Sequence, residues 1–445
     1  MLTPAPPAAD DYFAGLAPIP AADPPSSCDV LVIGAGPSGS ACAQTLAQAG
    51  LAVVLADQHE FPRDKICGDG LIPDAHAALQ RLGVLDQVLA RARAVSHVAC
   101  IAPRGGRVAV PGRLAVLPRR RLDHLLVQSA CRAGVHLATP WRFDAALEAP
   151  DGRVTGARLT RGQRHGGAAQ QVDVQARWVV LATGAAMPAM VAAGLCERRA
   201  PSGVALRGYL HAPALRGRIE QMEVVWHRSL RPGYGWIFPC GGDVYNIGVG
   251  AFHGGKAAAD GRQRAGVDAN LRQLLDAFAG CHAPAGELLA QGRWLEDGGP
   301  KGAPLRCTLQ GARLGRPGLL ATGEAIGSTY DFTGEGIGKA LETGLMAGEL
   351  LDRALRAAPA GAVAAADDEA AVLAPYAARI ASLRPRFALY ARANQVNAHP
   401  WLADLVIWRA RRSERLRLRM AGVLDERTNP GHLLSVRGLY KLLFQ

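Results

Sequence analysis

The chain has 445 residues, 49% apolar and 20% charged, with a formal net charge of +12. That length exceeds one ordinary core and predicts two or three subdomains. No apolar run approaches the ~18 residues of a membrane span, no nucleic-acid module or aromatic-interleaved basic stretch occurs, and the nine scattered cysteines contain no CxxC pair, which argues against a zinc site, another metal centre or a disulfide framework.

Residues 1–27 carry seven prolines, three aspartates and no basic residue, so they read as a flexible extension rather than a secretory signal, and the expected location is cytoplasmic. Cys28–Ile33 is a short apolar run ending at Gly34, the pattern of a buried parallel strand. Helix-forming residues Ser38–Ala49 follow and close at Gly50. Leu51–Ala56 is a second strand ending at Asp57, which completes a βαβ unit. Between its first strand and helix lies Gly34-Ala-Gly36-Pro-Ser38-Gly39, a GxGxxG. The first glycine permits a tight turn, the second lets backbone approach a pyrophosphate, the third allows close helix–strand packing, and the helix N-terminus favours an anion. Asp57 lies 23 residues after Gly34, where a carboxylate can hold a ribose hydroxyl. A dinucleotide site is predicted.

Further along, Val95–Leu117 reads as short strands, Arg119–Ala133 as a helix, and Val154–Arg158 with Val172–Leu181 as strands. Alternation and frequent turns from Val204 to Gly250 mark an antiparallel sheet. Gly318–Leu351 returns to strand, Gly-rich loop and helix. An Ala-rich stretch, Ala357–Ala374, precedes residues of helical character that continue to the end.

Three segments select the cofactor. Arg119-Arg-Arg-Leu-Asp123 resembles the R-x-x-L-D segment of flavoproteins of the p-hydroxybenzoate hydroxylase fold, and Leu181-Ala-Thr-Gly184 resembles the closing turn of such FAD domains. Thr322-Gly323-Glu324-Ala-Ile-Gly-Ser, followed by Thr333-Gly334-Glu-Gly336-Ile337, resembles their second FAD-contacting block. The resemblance implies FAD, with Glu324 toward the ribitol and pyrophosphate and the Gly334–Ile337 backbone toward the flavin pyrimidine. Phe61-Pro-Arg-Asp-Lys-Ile-Cys67-Gly68-Asp-Gly-Leu71, Tyr234-Gly-Trp236-Ile-Phe-Pro239 and Asn246-Ile-Gly-Val-Gly250 are similar to the geranylgeranyl reductase family, over roughly residues 28–350. Members of that family reduce isoprenoid double bonds. The resemblance sets Cys67 and Gly68 near the isoalloxazine, where the thiol either donates a proton or lines the pocket.

Tyr234, Trp236 and Phe238 are spaced by two, so on a strand they share one face and form a flat apolar wall for a prenyl chain or aromatic ring. Gly233 and Gly235 beside them are expected to admit a ligand close to the backbone. Thr183-Gly184 stands where many hydroxylase-fold proteins have Asp-Gly, so the electron donor is either NAD(P)H or a separate reductase. Glu324 replaces the family's aspartate, and Asp331-Phe332 stands where a proline is usual. Six arginines and one glutamate fall between Arg409 and Arg419, directly after the apolar stretch Trp401–Trp408; a solvated helix face is one reading, and an acidic carrier protein or the surface of the inner membrane is the other.

The expected architecture is α/β: a Rossmann-like FAD-binding domain (28–95, 119–185, 300–355) interleaved with an antiparallel-sheet substrate domain (96–118, 186–299), then a C-terminal helical region (356–445). The expected activity is hydride transfer between FAD and a lipophilic unsaturated substrate, isoprenoid-like or carrier-bound, using Cys67, Tyr234 and Trp236. Flavin-dependent hydroxylation or epoxidation is the alternative, with electron shuttling as the non-enzymatic one. Halogenation is disfavoured, because the stretch Ala94–Ile101 holds no lysine where halogenases need one.

Overall fold

The computed structural model describes residues 12–162, 170–252, 270–295, 299–357 and 369–424. Two sheets carry the fold. In the first, β1 (Ser27–Ile33) runs parallel to β2 (Val53–Ala56) on one side and to β9 (Gln170–Leu181) on the other. Beyond β2 lies β6 (His136–Ala138), and beyond β9 lies β17 (Leu319–Ala321), both parallel; β16 (Gly315–Arg316) closes that edge antiparallel. A hairpin of β7 (Arg142–Glu148) and β8 (Val154–Arg161) pairs with the outer part of β9. Val30, Leu31 and Val32 are wholly buried because helices cover both faces, as a continuous apolar run demands. Register sets Ile33 beside Ala56 and Leu181, so three strands end together at one carboxyl edge, where open α/β sheets bind ligands.

The second sheet orders β14 (Arg293–Trp294), β10 (Gly203–His211), β13 (Val244–Phe252), β12 (Gly233–Gly241), β11 (Met222–Val225), β4 (Arg93–Ile101), β5 (Arg107–Val116) and β3 (Gly70–Leu71). A further strand, β15 (Lys301–Leu305), pairs with β10. The sheet is antiparallel except where β11 meets β4 in parallel.

Among the described helices, α1 (Pro37–Gln48), α2 (Pro73–Arg81), α3 (Leu85–Leu89), α4 (Arg119–Arg132) and α8 (Ile337–Ala357) join the first sheet to the strand pair β4–β5. The short α5 (Pro188–Ala192) follows β9, and α6 (Leu271–Cys281) with α7 (Ala283–Gln291) covers the outer face of the second sheet. Then come α9 (Ala374–Ala393), α10 (Gln395–Ala398), α11 (Trp401–Ala410) and α12 (Glu414–Leu424). None of the described helices is long and apolar enough to cross a membrane.

Two features differ from the sequence reading. Residues from 12 onward pack on the fold instead of extending from it. Tyr12 is buried and donates its hydroxyl to the Cys240 carbonyl at 2.9 Å, Phe13 meets Tyr209 edge-on, and the Ile19 and Ala22 amides donate to Phe61 and Leu137 carbonyls. The aromatic pair gives this proline-rich segment enough apolar surface to dock. The boundary placed at 300 falls just before β15, which pairs with the second sheet; the chain returns to the first sheet only at β16. The expected run of helix to the end is seen as far as Leu424, and 358–368 and 425–445 lie outside the described residues.

Candidate active site

A cavity of about 870 Å³ begins at the carboxyl edge of the first sheet and reaches the C-terminal helices. At the end of β1 the chain turns through Gly34 (φ 102°), where any side chain would collide with the Ala182 carbonyl, and a methyl on Gly39 would collide with the Gly34 carbonyl. Gly39 does not line the cavity; it brings α1 against the turn. Gly36 does line it, and its missing side chain would meet only the Arg63 and Arg119 guanidinium nitrogens, each 3.7 Å away. Bare backbone at a helix N-terminus, facing two guanidinium groups, is an anion cradle. Asp123 braces both cations: Arg119 donates to it at 2.7 and 2.8 Å, and Arg63 at 3.0 Å. Asp57 accepts the Ala35 amide at 2.8 Å and the His59 amide at 2.9 Å, so it ties the glycine turn to β2 while still facing the cavity.

The second glycine-rich block packs onto the same end. Ser38 donates to Thr322 at 3.1 Å, and a side chain on Gly323 (φ 68°) would press to 2.6 Å from Ser38 Cβ. Gly323 is therefore a packing position, whereas Glu324 lines the cavity and accepts the Arg306 amide at 3.3 Å. Gly184, Gly334, Gly336 and Ile337 line it as well, the last three at the N-terminus of α8. Trp141 Nε1, Thr183 Oγ1 and Thr333 Oγ1 are buried, belong to cavity-lining residues and have no hydrogen-bond partner among the described residues. Orphaned donors around a cationic cradle and a backbone-lined helix start fit a dinucleotide that brings its own acceptors.

The far half is aromatic. Tyr234, Trp236 and Phe238 of β12 point into the cavity and are joined by Trp226 and Phe252, Tyr234 stacking on Phe252 at 5.6 Å. Tyr234 also donates its hydroxyl to the Thr333 carbonyl, which links the wall to α8. Phe332 completes the wall by stacking on Trp226, while its neighbour Asp331 is buried, accepts from Asn394 at 3.3 Å and is pushed up to about 6 by burial. The role expected for Gly233 and Gly235 is overturned. Strand alternation turns both away from the cavity, where a side chain on Gly235 would enter the Phe278 ring of α6 and one on Gly233 would strike the Gly250 carbonyl.

Cys67 and Gly68 lie between the two halves. A side chain on Gly68 would approach Phe238 to 3.2 Å and Trp236 Nε1 to 3.7 Å, so the loop rests directly on the wall. Cys67 is half-buried and its sulfur accepts the Asp69 amide at 3.3 Å. Burial, then the Asp69 carboxylate, raises its thiol pKa against an opposing pull from Arg119, so it holds its proton at neutral pH. Asp69 adopts φ 66° and is fully buried; it accepts from Tyr209 and, at 2.7 Å, from Asn246. Burial pushes its carboxyl up to about 6, tempered by Arg207, Tyr209 and Asn246. Asn246 also donates to the Cys67 carbonyl at 2.8 Å and accepts from Trp236 Nε1 at 2.9 Å. Arg207 completes the support, donating to Asp64 at 2.9 Å and to the Lys65 and Cys67 carbonyls at 2.7 and 3.2 Å. Asp69 and Asn246 sit inside motifs that the sequence made visible, but Arg207 and Tyr209 carried no signal there. Val406 and Ile407, inside the apolar stretch Trp401–Trp408, line the far end with Met420 and Leu424 from α11 and α12, a place that nothing in the sequence assigned to them.

The family described as "FAD binding domain" matches residues 27–228. Menaquinone reductase of Mycolicibacterium smegmatis is 34% identical over 340 residues, covering 73% of this chain and 76% of its own. Digeranylgeranylglycerophospholipid reductase of Methanothrix thermoacetophila is 27% identical over 342 residues, covering 75% of this chain and 80% of its own. The crystal structure of a geranylgeranyl bacteriochlorophyll reductase-like protein from Thermoplasma acidophilum superposes with a TM-score of 0.65 at 20% identity, over 94% of this chain and 96% of that one.

Proposed function

Since the chain belongs to the geranylgeranyl reductase family of FAD-dependent oxidoreductases, we propose that it saturates a carbon–carbon double bond in the prenyl chain of an isoprenoid lipid, with Cys67 as proton donor. The observation that carries this reading is the continuity of one cavity, from the cradle at Gly36, past Cys67, along the aromatic wall to the aliphatic residues of α11 and α12. Both reductases described above are named for lipophilic substrates, a menaquinone and a digeranylgeranylglycerophospholipid.

In this reading Gly36, Arg63 and Arg119 hold the FAD pyrophosphate, Asp57 holds the adenosine ribose, and Glu324 meets the ribitol. Gly184, Gly334, Gly336 and Ile337 face the flavin edge, Ser38 steadies the helix start, and Gly34, Gly39 and Gly323 set the spacing of the turns. When bound and reduced, FAD supplies the hydride. The remaining work belongs to the chain. Tyr234, Trp236 and Phe238 hold the alkene flat and exclude water. The Cys67 thiol gives its proton to the second carbon, and the thiolate recovers one from solvent. A raised thiol pKa suits this step, since the donor must be protonated before it acts. A separate reductase supplies the electrons, because Thr183-Gly184 lacks the carboxylate common at that turn in the wider fold. A substrate this apolar arrives from a lipid phase.

The test is a single turnover without oxygen. Photoreduced protein mixed with a prenyl lipid should regain flavin colour and yield a product heavier by two hydrogens. A product carrying an added oxygen atom, formed only in air, would replace this reading with oxygenation.

A further inference from the structure

The described residues include four large apolar side chains in exposed positions: Trp401 (60% exposed), Trp408 (46%), Leu418 (61%) and Val191 (37%). Three of the four lie on α11 and α12. Trp401 and Trp408 are seven residues apart, two turns of one helix face, while Leu402, Ala403, Ile407 and Ala410 face inward and are buried. The α11 face is fixed in place, because Asp404 accepts the Arg104 amide from the β4–β5 turn at 3.0 Å. On α12, Leu416 is buried and Leu418 projects outward between Arg417 and Arg419. Arg411, Arg412, Arg415, Arg417 and Arg419 are all exposed, with Glu414 the one acidic residue of that stretch, and the Arg412 guanidinium lies 4.7 Å over the Trp408 ring.

We infer that this outer face of α11 and α12 is an interfacial docking surface for an anionic lipid bilayer, and that substrate passes from the bilayer into the cavity these helices line. The first half stands on the surface itself; the second rests on the function proposed above. Indole rings favour the headgroup level of a membrane, where a flat apolar body and a polar N–H are both accommodated. Arginines keep their stems along apolar surface and their charge among lipid phosphates. Three apolar side chains that stand apart, with arginines between Trp408 and Leu418, suit a fluid surface that closes around each one; a folded partner would want a contiguous patch of fixed shape. The opposite sides of the same helices carry Val406, Ile407, Met420 and Leu424 on the cavity wall, so docking would set the cavity's apolar end against the lipid phase.

The experiment is flotation of the FAD-loaded protein with substrate-free vesicles, either phosphatidylcholine alone or phosphatidylcholine with about a third phosphatidylglycerol. The protein should float with the anionic vesicles, and raised salt should weaken this. Each arginine near such a surface strengthens binding about fivefold, so replacing Arg411, Arg415 and Arg419 with Gln should weaken it by at least about tenfold. Replacing Trp401, Trp408 and Leu418 with Ser should weaken binding to a similar degree and remove the fraction that resists salt. Flavin content at the wild-type level shows that each variant is folded. Turnover of a short-chain isoprenoid in detergent should be unchanged in both. Failure of the wild-type protein to float, or equal flotation of all three proteins, overturns the docking surface. Arginine-dependent turnover of a carrier-bound substrate without flotation assigns the face to an acidic protein and overturns the bilayer. Loss of turnover on every isoprenoid tested, with flotation intact, strikes the proposed reaction and leaves the docking surface standing.

Discussion

The two ends of the cavity are built from different materials. At the dinucleotide end the lining is mostly backbone: a glycine turn after β1, the N-termini of α1 and α8, and two guanidinium groups held by one carboxylate. At the far end it is side chain, from β12, β13, the loop before α8 and helices α10 to α12, meeting ring to ring or through aliphatic contact. A backbone-lined end has one permissible shape, because its donors are fixed by the helix starts. A side-chain-lined end can exchange volume between neighbours. The first end should therefore respond to substitution as all or none, and the second by degrees.

The largest effect is expected at Gly36. Gly36→Val leaves the fold intact, since a side chain there meets only the ends of Arg63 and Arg119 and no backbone, but it fills the approach to the cradle. Purified variant should keep its far-UV circular dichroism and elute without flavin; retention of FAD would break the contrast between the ends. Next comes Cys67, where the halves meet. Cys67→Ala should slow turnover by roughly 10²–10⁴ while leaving photoreduction of the flavin unchanged, with little recovery in Cys67→Ser. Full activity would return the thiol to a packing role.

Third is the acid response of the buried carboxylate beneath the Cys67 loop. Burial raises Asp69 from 3.8 to about 6 in the folded chain, so between about pH 4 and 6 the folded state holds a proton that the unfolded state has released. The contribution of this carboxyl to stability therefore falls as pH rises through that window and is constant above it. Denaturant midpoints across the window should show this fall reduced by roughly 2–3 kcal/mol in Asp69→Asn; an unchanged slope would mean that the charge is met elsewhere. The smallest effect belongs to the aliphatic end. Ile407→Val removes one methylene, which should cost about 1 kcal/mol of stability and raise KM for a long prenyl substrate by at most about tenfold, with kcat unaltered.

The same difference in materials decides what could be read from the sequence. A backbone cradle requires glycines at fixed spacing, and a helix-borne ion pair such as Arg119–Asp123 needs partners four residues apart, so the dinucleotide end leaves local signatures. The aromatic wall was also visible, because strand periodicity aligned Tyr234, Trp236 and Phe238. The support beneath it was not. Asn246 reaches its partners at Cys67 and Asp69 across 179 and 177 residues, and Tyr209 reaches Asp69 across 140, separations that no local pattern encodes. The glycines on β12 were misassigned because the same alternation that turns Tyr234, Trp236 and Phe238 to the cavity turns their neighbours Gly233 and Gly235 to the opposite face, where Phe278 and the Gly250 carbonyl fill the space. Tyr12 and Phe13 went unnoticed for a different reason. Two aromatic rings anchor a segment whose composition otherwise signals disorder.

The segment that Tyr12 anchors and the order of strands in the first sheet bear on how the molecule can be made. Tyr12 meets its acceptor at Cys240 only after another 228 residues have been synthesised, and β9 gains its neighbour β17 only beyond residue 319. Neither sheet is finished within a continuous stretch of chain, since β3 to β5 leave for the second sheet and the chain returns to the first. A ribosome releasing this protein therefore exposes an open sheet flank, first on β1 until β9 is made and then on β9 until β17 emerges at Leu319. Cutting the gene at a boundary such as residue 185 would yield a sheet lacking β16 and β17 and the partner helix of α1. The protein is in this sense indivisible: it can be expressed whole, or its pieces must be brought together as complementing fragments.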